Sequence, residues 1–109
     1  MDAFGMNMIW AVIRPEVVDK VVKALGTGGF SAMTRFDVYG RGKQKGVVVG
    51  GENYDMPKTV LMLVVESSNV AVVVKTIEDN ARTGSIGDGR IFVAPIAEAH
   101  TIRTGEPGL

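Results

Sequence analysis

The hydrophobic and polar positions of this chain follow two periods, which predict alternating strands and helices. Nearly continuous apolar runs at residues 8–14 and 59–65 predict strands that are buried on both faces. Residues 30–39 alternate with the period of a strand, and residues 90–93 form a last short apolar run. Helical spacing of apolar residues predicts two helices, carrying Val18, Val21, Val22 and Leu25 in the first and Val70, Val73, Val74, Ile77 and Ala81 in the second.

Residues of the expected type flank both predicted helices. Pro15 suits a first helical turn, Glu16 favours its positive end, and the glycines at 26, 28 and 29 end that helix. Ser67 or Ser68 is expected to cap the second helix. The boundaries therefore agree with the periodicities.

The order of these elements is βαββαβ, which predicts an α+β fold of the ferredoxin-like type, a four-stranded sheet with both helices on one face. Because the strands at 8–14 and 59–65 are apolar on both sides, a single helix layer leaves one side of the sheet uncovered. We therefore expect homo-oligomerisation through the sheets. Cover by local side chains and the C-terminal tail is the alternative.

Length and composition narrow the classes of function. A chain of 109 residues forms one domain, expected at residues 9–109 behind an N-terminal extension at 1–8. Its zero formal net charge gives no general attraction to nucleic acid. The sequence has no run of about 20 apolar residues, so we do not expect membrane insertion. The absence of cysteine agrees with a reducing cytoplasm, where we expect the protein.

A glycine-rich stretch at residues 82–90 precedes the last strand and combines backbone freedom with positive charge. Glycines let backbone N–H groups face a ligand, and Arg82 and Arg90 add guanidinium groups, so the stretch suits a phosphate. An ordinary turn between a helix and a strand is the alternative.

A second glycine-rich stretch at residues 39–46 begins an unusually long connection that reaches Pro57. Arg41, Lys43 and Lys45 offer cations, and Gln44 offers an amide. The apolar residues 47–49 predict a hairpin or a patch for a partner. A solvated hairpin with a basic rim is the alternative.

The two stretches read Arg-Thr-Gly-x-Ile-Gly-Asp-Gly and Gly-x-Gly-x-Gln-Lys-Gly. Together with residues 9–15, Met33-Thr34, Pro57-Lys58 and residues 102–106, they resemble the PII family of nitrogen-signalling proteins over nearly the whole chain. The resemblance implies a homotrimer-type PII architecture with a long T-loop at about residues 40–57. It also implies clefts that bind ATP or ADP, together with 2-oxoglutarate and Mg²⁺, and it implies a regulator rather than an enzyme.

Carried onto this sequence, the resemblance assigns individual residues to these ligands. The nucleotide-binding residues would be Thr34, Gly40, Gly42, Lys43, Gly87, Asp88, Gly89, Arg90 and Arg103. Gln44 would help to hold Mg²⁺ and 2-oxoglutarate, and Lys58 would pair with the distal carboxylate of 2-oxoglutarate. Met62, Thr101 and the exchanged basic residues Lys43 and Arg90 depart from the common family pattern, which leaves the preference between ATP and ADP open.

The segment 36–46, residues 54–59 and the tail at 101–106 are similar to the nitrogenase-regulating branch of PII, which acts with a paralogous PII subunit on dinitrogenase. Tyr54 does not match the modified tyrosine of the enteric type, so uridylylation is not expected. A PII regulator of an ammonium channel or a nitrogen-assimilation enzyme is the alternative. From other classes, a purely structural trimer and a small phosphohydrolase using Arg90 or Arg103 are possible, although His100 is the only histidine.

Overall fold

A computed structural model describes residues 5–41 and 47–109, with backbone alone at 47–49 and 52–54. Short 3-10 turns at Pro15–Val17 and Ser67–Asn69 lead into the two helices. In chain order the elements are β1 (Met6–Ile13), α1 (Val18–Thr27), β2 (Thr34–Gly40), β3 (Val47–Val49), β4 (Glu52–Tyr54), β5 (Met56–Glu66), α2 (Val70–Ala81) and β6 (Gly89–Pro95).

The main sheet has four strands in the order β2-β5-β1-β6, and all neighbouring strands are antiparallel. Without the small β3–β4 hairpin, the chain order is βαββαβ, which confirms the predicted ferredoxin-like α+β fold. The end of β1, the end of β2, the start of β5 and the start of β6 all lie at one edge of the sheet. This shared edge brings distant parts of the sequence together.

The core lies between the sheet and the two helices, as the apolar periodicities predict. From β1 and β5, Ile9 and Leu63 are paired across the sheet, as are Ala11 and Leu61, and all four are buried. They join a cluster that includes Val21, Leu25, Val73 and Ile77 from the helices. One face of the sheet is thus covered by α1 and α2.

The opposite face carries large apolar side chains that remain accessible in the single chain. Trp10 lies between Met62 and Phe92 in the strand register, and its ring meets that of Phe36 edge to face with centroids 5.8 Å apart. Phe36 is 38% exposed and Phe92 is 55% exposed. We call this surface, defined by Trp10, Phe36, Met62 and Phe92, the open face.

Three of the predicted strand starts differ from the structure by two or more residues; one is that of β5, which begins at Met56 rather than at residue 59. β2 begins at Thr34 rather than Phe30, because Phe30 belongs to the end of α1: its N–H donates to Leu25 O at 2.8 Å, after Gly29 at φ +92°. β1 begins at Met6, ahead of the predicted start, so residues 6–8 of the expected extension pair with β5.

The expected serine cap of the second helix is wrong. Neither the 3-10 turn nor α2 has a side-chain cap. Instead, Ser67 Oγ donates to Asn7 Oδ1 at 2.6 Å, which ties the start of this turn to β1.

The connection between β2 and β5 contains the predicted hairpin. β3 and β4 pair across the two-residue turn Gly50-Gly51, where both glycines have positive φ, +59° and +84°. Such a pair fits the tight turns whose twist matches that of antiparallel strands.

Candidate functional site

A groove of about 880 Å³ lies at the shared edge of the sheet. Its walls come from the end of β1, the junction of β2 with the long connection, the start of β5 and the glycine-rich stretch before β6. The lining residues are Val12, Gly40, Arg41, Lys58, Ser85, Ile86, Gly87, Asp88, Gly89, Arg90 and Phe92. Gly40 and Arg41, at the start of one glycine-rich stretch, therefore meet residues 85–90 of the other, which is far away in the sequence.

Asp88 organises the glycine-rich wall from inside. Its Oδ2 accepts the backbone N–H of Thr83 at 2.8 Å and of Gly84 at 2.9 Å, and its Oδ1 accepts the Thr83 hydroxyl. The hydroxyl and N–H of Thr83, with the bonds from Arg14 and Gly84, hold the pKa of Asp88 well below its usual range, against the opposing effect of desolvation. The carboxylate is thus ionised and used within the chain.

Arg14 joins this loop to the end of β1, and sequence reasoning did not identify it. Its Nε donates to Asp88 Oδ1 at 3.1 Å and its Nη2 donates to Ile86 O at 2.8 Å. The guanidinium fork thereby fixes both the carboxylate and a carbonyl of the loop. The only sequence signal was a charged residue placed directly between a buried strand and Pro15.

Gly89 allows the loop to pass against β1. Its φ is +112°, and a Cβ built there would lie 1.8 Å from Val12 O. Gly84 and Gly87 also have positive φ, +89° and +99°. Glycine adopts these backbone conformations without the steric cost that other residues have, so the shape of the wall depends on the glycines.

Lys58 supplies a buried amine to the groove. The residue is 6% exposed, and its Nζ donates to Gly87 O. Burial, helped by the positive charge of Arg14, lowers the pKa of Lys58 from its ordinary value, while Glu16 and Asp88 act in the opposite direction. A buried ammonium with one carbonyl partner still has donors for an acidic ligand.

The charge of the groove favours an anion. Arg41, Lys58 and Arg90 line it with positive charge, whereas Asp88, the one acidic residue among the described lining residues, already accepts hydrogen bonds from the loop and from Arg14. Among the side chains that the structure describes, no group of three His, Cys, Asp or Glu residues is placed to hold a metal ion. The described groove therefore offers positive charge and glycine backbone on the same side of the space that it encloses.

Residues 6–106 match the family model described as Nitrogen regulatory protein P-II. The chain belongs to the P-II family. This match spans both glycine-rich stretches and the whole sheet, so the resemblance found from the sequence is confirmed.

Curated relatives of this P-II chain carry names that refer to nitrogen fixation. It is 50% identical to the "Nitrogen fixation nifHD1 region GlnB-like protein 1" of Methanosarcina barkeri over 95% of this chain and 100% of that protein. Identity is 51%, with the same coverage, to a nifHD region glnB-like protein 1 of Methanococcus maripaludis. The chain is 42% identical to a nifHD region GlnB-like protein 2 of Methanothermococcus thermolithotrophicus, over 94% of this chain and 95% of that protein.

Among solved structures, the P-II chain is similar to Arabidopsis thaliana PII bound to citrate. The TM-score is 0.81 at 34% sequence identity, covering 96% of this chain and 87% of the other. The P-II fold is thus supported by structure as well as by sequence.

The P-II groove brings together only part of the predicted site. Gly40, Lys58, Gly87, Asp88, Gly89 and Arg90 all line it. Thr34 pairs with Met62 at the far end of β2, about 20 Å along the strand from Gly40, and Arg103 is exposed in the tail. Neither lines the groove of its own chain. Gly42, Lys43 and Gln44 lie outside the described residues.

The hydrogen bonds of Asp88 predict a pH dependence of stability in this P-II protein. Because its pKa is lowered on folding, its contribution is complete above the ordinary value of 3.8 and is lost as the pH falls below it. We expect Asp88→Asn to lower the melting temperature at pH 7, and the difference from wild type to shrink between pH 4 and pH 3. Scanning calorimetry across this range measures it. Asp79→Asn, on the exposed face of α2, is the control, and a pH-independent difference for Asp88→Asn would contradict the assignment.

None of the helices in the described part of the P-II chain is long and apolar enough to cross a bilayer.

Proposed function

We propose that this P-II protein is a cytoplasmic signal-transduction protein that binds ATP or ADP and 2-oxoglutarate and regulates nitrogen fixation through dinitrogenase. The observation that carries the proposal is the groove, where Arg41, Lys58 and Arg90 face the same space as the positive-φ glycines. Cationic side chains, and backbone N–H groups that glycines can turn toward a ligand, are the features that suit a polyphosphate or a dicarboxylate. The names of the relatives support nitrogen fixation as the process.

The residues present fit an adenylate phosphate chain. Gly87 and Gly89 give the wall its close backbone approach, Arg90 contributes a guanidinium, and Asp88 holds the loop in shape from behind. Gly40 would approach from the opposite wall, with Gly42 and Lys43 following it in the sequence. Thr34 remains a prediction from the resemblance, because its place at the far end of β2 lends it no support.

Lys58 fits the distal carboxylate of 2-oxoglutarate. Its ammonium is buried beside the loop, where a charge-assisted hydrogen bond is stronger than in water. Mg²⁺, when bound, would supply a hard cation for the keto acid and phosphate oxygens, with Gln44 as the protein ligand expected from the sequence. Because the carboxylate of Asp88 already accepts hydrogen bonds from the loop, the Mg²⁺ ion would be held mainly by oxygen atoms of the nucleotide and of 2-oxoglutarate.

A homotrimer is part of the proposal. The open face, with Phe36 and Phe92 partly exposed around Trp10, is the kind of apolar surface that monomers rarely leave uncovered. Packing of sheets in a ring would also bring the tail of one subunit near the groove of the next. Arg103, which does not line its own groove, would then complete a neighbouring site. The relative called GlnB-like protein 2 supports a paralogous subunit as a further partner.

Regulation would follow from a ligand-dependent arrangement of the T-loop. Gly40 and Arg41 at its start and Lys58 just after its end line the groove, so a ligand there interacts differently with different loop arrangements and shifts their populations. If 2-oxoglutarate and the target prefer different arrangements, each weakens the binding of the other by the same factor.

A pull-down from extract of nitrogen-fixing cells tests this function. The purified chain is the bait, with ATP and Mg²⁺ present and 2-oxoglutarate either added or omitted. We expect dinitrogenase to be captured without 2-oxoglutarate and released when it is added. A Lys58→Met bait is expected to capture dinitrogenase but not to release it. Capture of an ammonium channel or an assimilation enzyme instead would reject dinitrogenase as the target.

A further inference from the structure

An ion pair closes the base of the T-loop. Arg41 Nε lies 2.6 Å from Asp55 Oδ1, and both side chains are nearly half exposed, at 44% and 45%. Gly40 and Met56 form the last pair of the β2–β5 ladder, so Arg41 and Asp55 are the residues at which the two chain segments leave the sheet. The pair therefore joins the two ends of the intervening loop.

Besides its ion pair with Asp55, Arg41 also lines the groove, where it can contact a ligand. It shares that lining with Lys58 and Arg90, whereas Asp55 is not part of the wall. A guanidinium can make a bidentate contact with a phosphate or a carboxylate, and a polyphosphate or a whole dicarboxylate brings more oxygen atoms and more total charge into the groove than Asp55 does. The same side chain thus lies between an internal carboxylate and the space for a ligand.

We propose that Arg41 is an anion-binding residue of the groove for which Asp55 competes, so that an anionic ligand takes Arg41 from Asp55 and opens the base of the T-loop. The inference rests on the proposed function, since it concerns the same ligands. It adds a specificity-determining residue and a direct link between the occupied groove and the loop.

The energies of the two contacts allow this exchange. A half-exposed ion pair favours its closed form only weakly, typically by a factor of about two to five. A ligand that adds a bidentate, charge-assisted contact in the partly enclosed groove gains more than that factor, so it displaces Asp55. Since Arg41 follows β2 and Asp55 precedes β5, losing the ion pair removes the side-chain contact that holds the two segments together just beyond the Gly40–Met56 ladder pair.

A double-mutant cycle tests the competition. The variants are Arg41→Gln, Asp55→Asn and the double variant, each titrated by calorimetry with ATP, with ADP, and with 2-oxoglutarate in the presence of ATP and Mg²⁺. We expect Arg41→Gln to weaken the binding of the contacted anion about tenfold. We expect Asp55→Asn to strengthen that binding about twofold to fivefold, because it releases Arg41. The double variant should bind like Arg41→Gln alone.

A matched ion pair outside the groove provides the control. Arg35 Nη1 lies 3.8 Å from Asp19 Oδ1, and both residues are exposed and absent from the groove wall. Arg35→Gln and Asp19→Asn should leave every affinity unchanged. Melting temperatures without ligand show whether each variant is folded.

The outcomes separate the two proposals. Weaker binding in Asp55→Asn as well as in Arg41→Gln would make the pair a simple clamp and overturn the competition. Wild-type affinity in Arg41→Gln would also overturn it, while leaving the proposed function in place. A wild-type protein that binds neither adenylates nor 2-oxoglutarate would reject both. An effect on ATP and ADP alone assigns Arg41 to the phosphates, whereas an effect that appears only with 2-oxoglutarate assigns it to the dicarboxylate.

Discussion

Replacing Gly89 with alanine is expected to destabilise the whole sheet edge and to abolish ligand binding in the groove. The new Cβ would lie 1.8 Å from the carbonyl oxygen of Val12, which is held in β1, and the backbone at φ +112° is itself unfavourable for alanine. The loop and β1 must therefore separate. We expect a loss of about 3 kcal/mol in the free energy of unfolding, which lowers the melting temperature by roughly 12 °C or more.

Gly84→Ala is the matched control for this effect. Gly84 also has a positive φ, +89°, but no other atom lies within 4 Å of a Cβ built there. Alanine at this position carries only the backbone cost, about 1 kcal/mol. Calorimetric unfolding of both variants compares the two costs. Equal losses would show that the contact with Val12 is relieved by a small shift, contrary to our expectation.

Replacing Lys58 with methionine is expected to weaken 2-oxoglutarate binding about 100-fold, because a buried charge partner of the ligand is lost while the unbranched side chain is kept as far as Cε. The affinity for ATP alone should fall much less, since the contacts of ATP with the glycine-rich wall remain. Isothermal titration with ATP and Mg²⁺ measures both. Gln44→Ala should show the same preference for 2-oxoglutarate, and equal losses for the two ligands would reject these assignments.

Two further readouts identify the charge of Lys58 as the cause. Lys75→Met removes an exposed lysine of α2 that pairs with Asp79, and it should change neither affinity. The lowered pKa of Lys58 means that its ammonium loses its proton below the ordinary lysine value of 10.5. The affinity of the wild type for 2-oxoglutarate should therefore fall with rising pH before an ordinary lysine would titrate, and that of Lys58→Met should not follow it.

The sheet and helices could be predicted because the apolar periods of this chain are strong. The runs at 8–14 and 59–65 became the central strands β1 and β5, which explains why they are apolar on both faces. The start of β2 was predicted too early because Phe30 has the alternation of a strand but is held by the glycine-rich end of α1. Alternation alone does not distinguish a strand residue from the apolar residue that follows a helix cap.

The site could be predicted only as far as local motifs define it. Glycines and basic residues indicated an anion site, and six of the predicted residues line one groove. Arg14 was missed because its partners, Asp88 and Ile86, are more than 70 positions away in the sequence. The resemblance assigns Asp88 to the nucleotide site but does not predict its hydrogen bonds, which in the described structure run to the loop itself and to Arg14.

The position of the single tryptophan gives this protein a built-in optical probe. Trp10 stands in the middle of the open face, against Phe36. A subunit packed over that surface would remove water from the indole ring and shift its fluorescence to shorter wavelength. Dissociation into single chains could therefore be followed by intrinsic emission in dilute samples, without attaching a dye to any residue.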